Sequence, residues 1–372
     1  MKILIDLSYI QMDRLFKSLS IYIFRFLDTI EERGQFKLLV LKECEEYIKK
    51  RYPGFECVSY EPYSNNCRYS RLIKFIQRCW RYKFVVENSG CDCLFVPNDL
   101  VMFSLVKTRM RKVVVVHDLK TLKEKPGFKG RLSYIMFKFY YWVLMHYSDT
   151  VIAISRYTKE DIHAFFRSIP ADKVKVVYNS VVLSRTRKEP INVDLPERYI
   201  LYVNTLHPYK NIMTLVRAFD ELRLKIDHKL VIVGNETDYW RNFVSAYITH
   251  HGLSSRVIRL SNISNEELRY LYEHASLFVS TSMREGFGYT PIEAAMCACP
   301  VVCSMCEALP DTTRGLLNYY TSAKDEHELA NKICQVLNTP PSTEELEYIA
   351  STFADLYSPQ KQSIALLEIL RT

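Results

Sequence analysis

Four polar positions stand where an apolar run stops: His117, the stretch Asn204–Lys210, Gly234 and Glu285. In open parallel sheets ligands bind beyond the carboxyl ends of the strands, so these positions are the first candidates for chemistry. The richest stretch is Leu277–Asp311, LFVSTSMREGFGYTPIEAAMCACPVVCSMCEALPD. An apolar strand ends at Ser280, a loop carries Arg284, Glu285, Gly286, Phe287 and Gly288, and a helix is predicted from near Pro291. Free backbone N–H groups and the positive end of the helix dipole make such a junction an anion site. Gly286 and Gly288 allow a phosphate or sugar hydroxyl to approach the backbone. A carboxylate such as Glu285 or Glu293 can accept two hydroxyl hydrogen bonds. Two readings of Glu293 stay open. It is a ligand for such hydroxyls, or it closes a capping box written Thr290-Pro291-Ile292-Glu293 with proline at the first helical position. Glu285 alone would be a solvated loop carboxylate.

Tyr199–Asn211 reads YILYVNTLHPYKN and is followed by an amphipathic helix over Ile212–Arg223, with Asn211 as a plausible N-cap. Lys210 therefore sits at the positive end of a helix dipole, an unfavourable place for a cation. A bound diphosphate would remove the conflict; a solvated surface lysine is the plain alternative. Lys112-Val-Val-Val-Val-His117-Asp118 is a buried strand ending in a histidine, which is either a satisfied structural residue or a catalytic one. Cys299, Cys303 and Cys306, with Cys297 nearby, match the spacing of an iron–sulfur site, but Cys303 closes a Pro-Val-Val strand and reads as ordinary core.

These residues are carried by a repeating pattern. Apolar runs at Lys2–Asp6, Lys37–Leu41, Cys93–Pro97, Lys112–His117, Thr150–Ile154 and Val174–Tyr178 alternate with helical segments. The alternation recurs at Tyr199–Asn204, Lys229–Gly234, Val257–Leu260, Leu277–Ser280 and Pro300–Cys303. Continuous apolar strands separated by helices predict parallel sheets covered on both faces, here two doubly wound α/β domains. The reading places an N-terminal Rossmann-like domain over 1–184 and a linker over 185–198. A C-terminal Rossmann-like domain follows over 199–358, and a terminal helix over 359–372 is expected to pack back on the first domain.

Charge divides along the chain. Residues 1–190 hold 34 Lys+Arg against 20 Asp+Glu, and residues 191–372 hold 16 against 22. A basic first half predicts an anionic partner, either a membrane face, a lipid-phosphate acceptor or nucleic acid, with solvated surface as the plain reading. The 11 cysteines, an odd number in a long chain, predict a reducing compartment. The start, MKILIDLSYI, reads as a first strand rather than a signal peptide. No apolar run approaches the length of a membrane span. The aromatic stretch Leu132–Met145 could lie on a membrane surface, but helical aromatic stripes are usually buried, and a core helix is predicted.

Glu285-Gly-Phe-Gly-Tyr-Thr-Pro-Ile-Glu293-Ala resembles the E-G-F-G-x-x-x-x-E-A signature of glycosyltransferase family 4, the retaining group 1 enzymes of GT-B fold. Met296–Val302 and Leu309-Pro310-Asp311 resemble the strand and turn that follow it. Val203-Asn204-Thr205-Leu206-His207-Pro208-Tyr209-Lys210-Asn211 resembles the family's V-G-R/T-L-x-P-x-K-N, with Asn204 in place of glycine and Thr205 where many members have arginine. Lys112–Leu119 resembles V-x-x-x-H-D-L, Ser155 lies in a V-S-x-x-S/T-like turn, and Val176–Val181 resembles I-x-N-G-V with Ser180 for glycine. The family's glycine-rich loop after the first strand is absent: Gln11–Ser20 contains no glycine, so either Lys17 and Ser18 contact ligand through side chains instead or this wall is rebuilt for a particular acceptor.

The resemblance implies GT-B architecture with the site in the cleft between the two domains, the N-terminal domain on the acceptor side and the C-terminal domain binding the nucleotide sugar. It implies transfer from a nucleoside-diphosphate sugar to a saccharide or lipid-linked acceptor, with retention at the anomeric carbon. Lys210, Glu285 and His117 would be catalytic. Asn204, Thr205, Gly234, Gly286, Phe287, Gly288, Tyr289, Thr290 and Glu293 would line the donor site, with Arg284 or Lys17 as a second cation. No Asp-x-Asp occurs, so no metal and no other cofactor are expected. The expected setting is bacterial surface polysaccharide assembly in the cytoplasm. There the basic half would touch the inner membrane face peripherally, and no nucleic acid would be bound. A non-catalytic sugar-nucleotide binder and a nucleotide-sugar epimerase are the competing readings.

Overall fold

Runs of branched and aromatic apolar residues, too short for helices, form strands buried on both faces. The computed structural model describes residues 1–12, 18–62, 71–98, 108–123, 130–184 and 195–372. Lys17 and most of the glycine-free loop lie outside the described residues, as do the Ser18 side chain and linker positions 185–194. The chain divides into two compact units, Met1–Ser180 with Pro359–Thr372, and Val181–Ser358.

The first unit is built on a parallel sheet of β1 (Ile3–Asp6), β2 (Phe36–Leu41), β3 (Glu56–Tyr60), β4 (Cys93–Val96), β5 (Arg111–Val116), β6 (Thr150–Ala153) and β7 (Val174–Val176). Its strand order is β3-β2-β1-β4-β5-β6-β7. Helices α1 (Ser18–Leu27), α2 (Glu45–Arg51), α3 (Arg71–Glu87), α4 (Lys120–Lys123), α5 (Arg131–Tyr147) and α6 (Arg156–Phe165) connect the strands. Ser155 caps α6 by accepting the Thr158 amide, which explains the Ser-x-x-Thr spacing.

The second unit is built on β8 (Tyr199–Val203), β9 (Lys229–Val233), β10 (Val257–Leu260), β11 (Leu277–Ser280), β12 (Val301–Ser304) and β13 (Asn318–Tyr320). These strands are also parallel, in the order β10-β9-β8-β11-β12-β13. Its helices are α7 (Ile212–Leu222), α8 (Ser245–His250), α9 (Asn265–His274), α10 (Tyr289–Met296), α11 (Leu309–Thr312), α12 (Glu326–Asn338) and α13 (Thr343–Leu356). Ile212, Leu215, Val216, Phe219 and Leu222 of α7 are buried, the stripe expected of a helix laid on a sheet. The chain then returns to the first unit as α14 (Pro359–Arg371). There the Arg111 guanidinium donates to the carbonyls of Ile369 and Leu370 at 2.6 and 3.2 Å.

All eleven strands read from the sequence are present. The two that were missed, β3 and β13, lie at sheet edges, where short half-exposed strands lack a continuous apolar run. A second difference concerns the aromatic helix. The sequence favoured burial of Leu132–Met145, yet Leu132, Ile135, Met136 and Phe139 are exposed and packing begins only at Tyr141. A 17-residue helix is about 25 Å long, whereas β5 and β6 are short strands, so only the C-terminal half of α5 has sheet to cover.

The sheet of the second unit reverses direction between β8 and β11, and the loops after these strands flank that switch point. Gly234, just past β9, makes the approach possible. A Cβ there would press on the Asn204 carbonyl oxygen and on Leu206 Cγ at 2.9 Å. Gly234→Ala is expected to destabilise the protein by about 1–3 kcal/mol. A melting curve superimposable on that of the wild type would show that the loops yield at no cost.

Candidate functional site

Lys210 closes a short 3-10 turn, Pro208–Lys210, in the loop after β8. Asn211 then adopts the left-handed conformation (φ 57°), which asparagine tolerates better than most residues. Its side chain joins the turn to its surroundings, accepting from Thr214 Oγ1 and donating to the Ala323 carbonyl. The Lys210 carbonyl is held by Tyr202 OH at 3.1 Å and Thr281 Oγ1 at 3.0 Å, the latter from just beyond β11. The Met283 amide donates to the Tyr209 carbonyl. The two loops of the switch point are therefore stitched together through the backbone.

This stitching sets the central contact. Lys210 Nζ donates to Glu285 Oε1 at 2.6 Å, with side-chain exposures of only 12% and 13%. Ser282 Oγ donates to the same oxygen at 2.7 Å. The dipole conflict at Lys210 is thus answered within the protein by a carboxylate. Sequence reasoning had called on a ligand phosphate, because residues 75 positions apart give no sign that they meet. Two partners were missed altogether. Ser282 is a small polar residue in an apolar context, and Glu307 accepts the Glu285 amide at 2.9 Å from a left-handed backbone (φ 43°). The position of Glu307 just before Leu309-Pro310-Asp311 was the available signal.

The loop then enters α10 through Gly288, its N-cap, at φ 85° with no side-chain cap. A Cβ at Gly288 would also collide with Leu309, so both backbone and packing require glycine here. Because the helix starts at Tyr289, Thr290 lies inside it and cannot be the N-cap that the capping-box reading of Glu293 requires. Instead Glu293 Oε2 accepts from Tyr272 OH at 3.1 Å. Burial, reinforced by the Glu293 carboxylate, pushes the Tyr272 phenol well above its ordinary range, so it stays a donor.

The remaining expected residues divide by location. The Phe287 ring is buried against Tyr289 and edge-on to Tyr357, and serves packing. Asn204 Oδ1 accepts the Thr205 amide, while Thr205 is exposed. The Gly234 amide and carbonyl are bonded to the Leu260 carbonyl and Arg259. His117 belongs to the first unit, where Nε2 lies 3.0 Å from the Pro97 carbonyl and so carries the proton. Its ring meets Tyr22 edge-on. Cys299, Cys303 and Cys306 are buried, and desolvation pushes their thiols up, to about 12 for Cys306. They are core, as their strand context suggested. Among the described residues no group of three or more His, Cys, Asp or Glu side chains could hold a metal ion. No helix there is long and apolar enough to cross a membrane.

The fold matches solved structures over the whole chain. HepE of Anabaena, solved in complex with UDP and glucose, is similar with a TM-score of 0.73 over 100% of both chains at 17% identity. The fold is GT-B, two Rossmann-like units in one chain. The family description "Glycosyltransferase Family 4" matches residues 21–185, and "Glycosyl transferases group 1" matches 184–352. The chain belongs to this family of group 1, family 4 glycosyltransferases. Among curated relatives, the N-acetylgalactosamine-N,N'-diacetylbacillosaminyl-diphospho-undecaprenol 4-alpha-N-acetylgalactosaminyltransferase of Campylobacter jejuni is 29% identical over 63% of this chain. O-antigen chain mannosyltransferase B of Escherichia coli is 30% identical over 43% of it. The matches span 64% and 44% of those relatives' own lengths.

Removing one member of a largely buried ion pair strands the other charge. Glu285→Ala is therefore expected to cost roughly 2–4 kcal/mol of stability, and the double variant Lys210→Met/Glu285→Gln less. Thermal melts check this. A double variant less stable than Glu285→Ala would show that the pair is not what the loop depends on.

Proposed function

We propose that the protein is a retaining glycosyltransferase. It moves a sugar from a nucleoside-diphosphate donor to a hydroxyl of a saccharide or lipid-linked acceptor, in assembly of a bacterial surface polysaccharide. The observation that carries this is the Lys210–Glu285 pair at the sheet's switch point, within a chain of this family. The relatives' named activities on O-antigen chains and on a diphospho-undecaprenol-linked sugar support the setting.

In this reading the donor diphosphate takes Lys210 from Glu285, and the freed carboxylate accepts hydroxyls of the donor sugar. Glu293, oriented by Tyr272, accepts the ribose hydroxyls. The acceptor oxygen bonds to the anomeric carbon on the face from which the diphosphate leaves. The bond from that carbon to the diphosphate breaks, and a diphosphate oxygen takes the acceptor proton. Lys210 and the amides at the start of α10 stabilise the charge that builds on the leaving group. Positioning supplies the rest, so neither glutamate acts as a nucleophile. His117 is assigned to the donor sugar by resemblance alone. The protein works without a metal at this site and meets an anionic membrane peripherally through its basic N-terminal half.

Lys210→Ala is expected to lower kcat about a hundredfold or more, the scale for losing a key charge stabiliser. Steady-state turnover with a panel of nucleotide sugars checks it, and near wild-type turnover would remove Lys210 from the mechanism. Glu293→Ala is expected to weaken nucleotide binding by about tenfold or more, as befits the loss of charge-assisted hydrogen bonds. Titration calorimetry showing unchanged affinity would end the ribose assignment.

A further inference from the structure

The first unit carries two exposed apolar stripes. On α3, Ile73, Ile76, Trp80 and Phe84 follow helical spacing; all are exposed, Trp80 by 67%, and Trp80 stacks on Phe84. On α5, Leu132, Ile135, Phe139 and Trp142 do the same, with Leu132 70% exposed and Phe139 stacked on Trp142. The sheet topology puts both helices on one face. The connections β3→β4 and β5→β6 run in the same direction across the order β3-β2-β1-β4-β5-β6-β7, and right-handed crossovers then place α3 and α5 on the same side. Connections β1→β2 and β2→β3 run the other way, and α14 packs with α1, so the return helix lies on the opposite face.

Cations outnumber carboxylates on these two helices. Helix α3 carries Lys74, Arg81 and Lys83 against Glu87, and α5 carries Arg131 and Lys138 with no carboxylate. A groove floored by Ile135, Phe139, Trp142 and Phe165 includes Lys138 and Arg167 in its lining. Aromatic and aliphatic side chains flanked by cations on helices too short or too polar to span are the composition of interfacial helices. Long Lys and Arg stems reach phosphate while their helix sinks its apolar side.

We propose that the α3/α5 face seats in the surface of an anionic phospholipid bilayer, with Trp80 and the Leu132–Phe139 turns of α5 entering the acyl boundary. The stripes supply apolar area, and the excess cations select an anionic leaflet. This docking surface rests on the lipid-linked-acceptor reading above and names the part of the basic half that makes the contact.

The test uses the full chain with sonicated vesicles of phosphatidylcholine alone, or with about one-third phosphatidylglycerol. Flotation is expected with the anionic vesicles and to fall in high salt. Brominated acyl chains are expected to quench Trp80 and Trp142, whereas Trp240 is buried in the second unit. The variant Trp80→Ser/Phe84→Ser/Leu132→Ser/Ile135→Ser changes only exposed residues. It is expected to partition about a hundredfold less while keeping the wild-type melting temperature. Absence of flotation at low salt, undiminished binding by the variant, or a self-association that the four serines abolish without any vesicle binding would each overturn the proposal. Nucleotide affinity measured on the same samples separates the two ideas. Intact nucleotide binding without flotation sinks only the docking surface, while a wild type that binds no nucleotide sinks the transferase reading.

Discussion

A lysine ammonium held against a carboxylate at the carboxyl ends of two neighbouring strands is the contact on which the second unit's candidate site is organised. Lys210 arrives from the loop after β8 and Glu285 from the loop after β11. A cation in that largely buried position needs a counter-charge, because desolvation penalises it heavily when alone. Glu285 supplies the charge, Ser282 adds a hydrogen bond to the same oxygen, and Glu307 fixes the Glu285 backbone from the loop after β12. The pair is thus held in place by its surroundings, and an anionic ligand at this site would have to compete with a carboxylate for one ammonium.

The backbone around the pair is correspondingly constrained. Asn211, Glu307 and Gly288 all take positive φ within the loops that converge here, although only the last is glycine. Such conformations persist when neighbouring contacts over-determine them. The Lys210 carbonyl accepts from Tyr202 in β8 and from Thr281 just beyond β11, the Phe287 carbonyl accepts from Thr312, and Tyr357 OH bonds the Thr312 carbonyl. Packing beneath is equally committed: the Phe287 ring sits edge-on to Tyr357, and the cysteines of the following strand and turn are buried thiols rather than ligands. The loop is a rigid platform for polar groups, which suits chemistry that asks for positioning and charge stabilisation.

The two units share a topology and differ in their surfaces. Both are parallel sheets with a central reversal of strand order. In the second unit α7 buries its whole apolar stripe on the sheet. In the first, α3 and α5 turn apolar side chains outward, beside an excess of Lys and Arg. Large exposed apolar patches are uncommon on monomeric proteins and mark contact surfaces. One fold has been elaborated as a polar platform in one half and as an amphipathic outer face in the other.

The amino-acid sequence alone determined the element plan and the family. Buried parallel strands need continuous apolar runs, and the short-range order of Glu285–Glu293 and of Val203–Asn211 is local information. Edge strands β3 and β13 escaped because one-sided exposure removes the run that marks a strand. Tertiary structure alone decided that Lys210 is paired by Glu285, that Glu293 is held by Tyr272 from α9, and that Glu307 reaches back to the loop. It also decided that the aromatic stripe of α5 faces outward. Each of these depends on which strands become neighbours and how far a helix outruns its sheet, and a linear pattern of hydrophobicity does not record either.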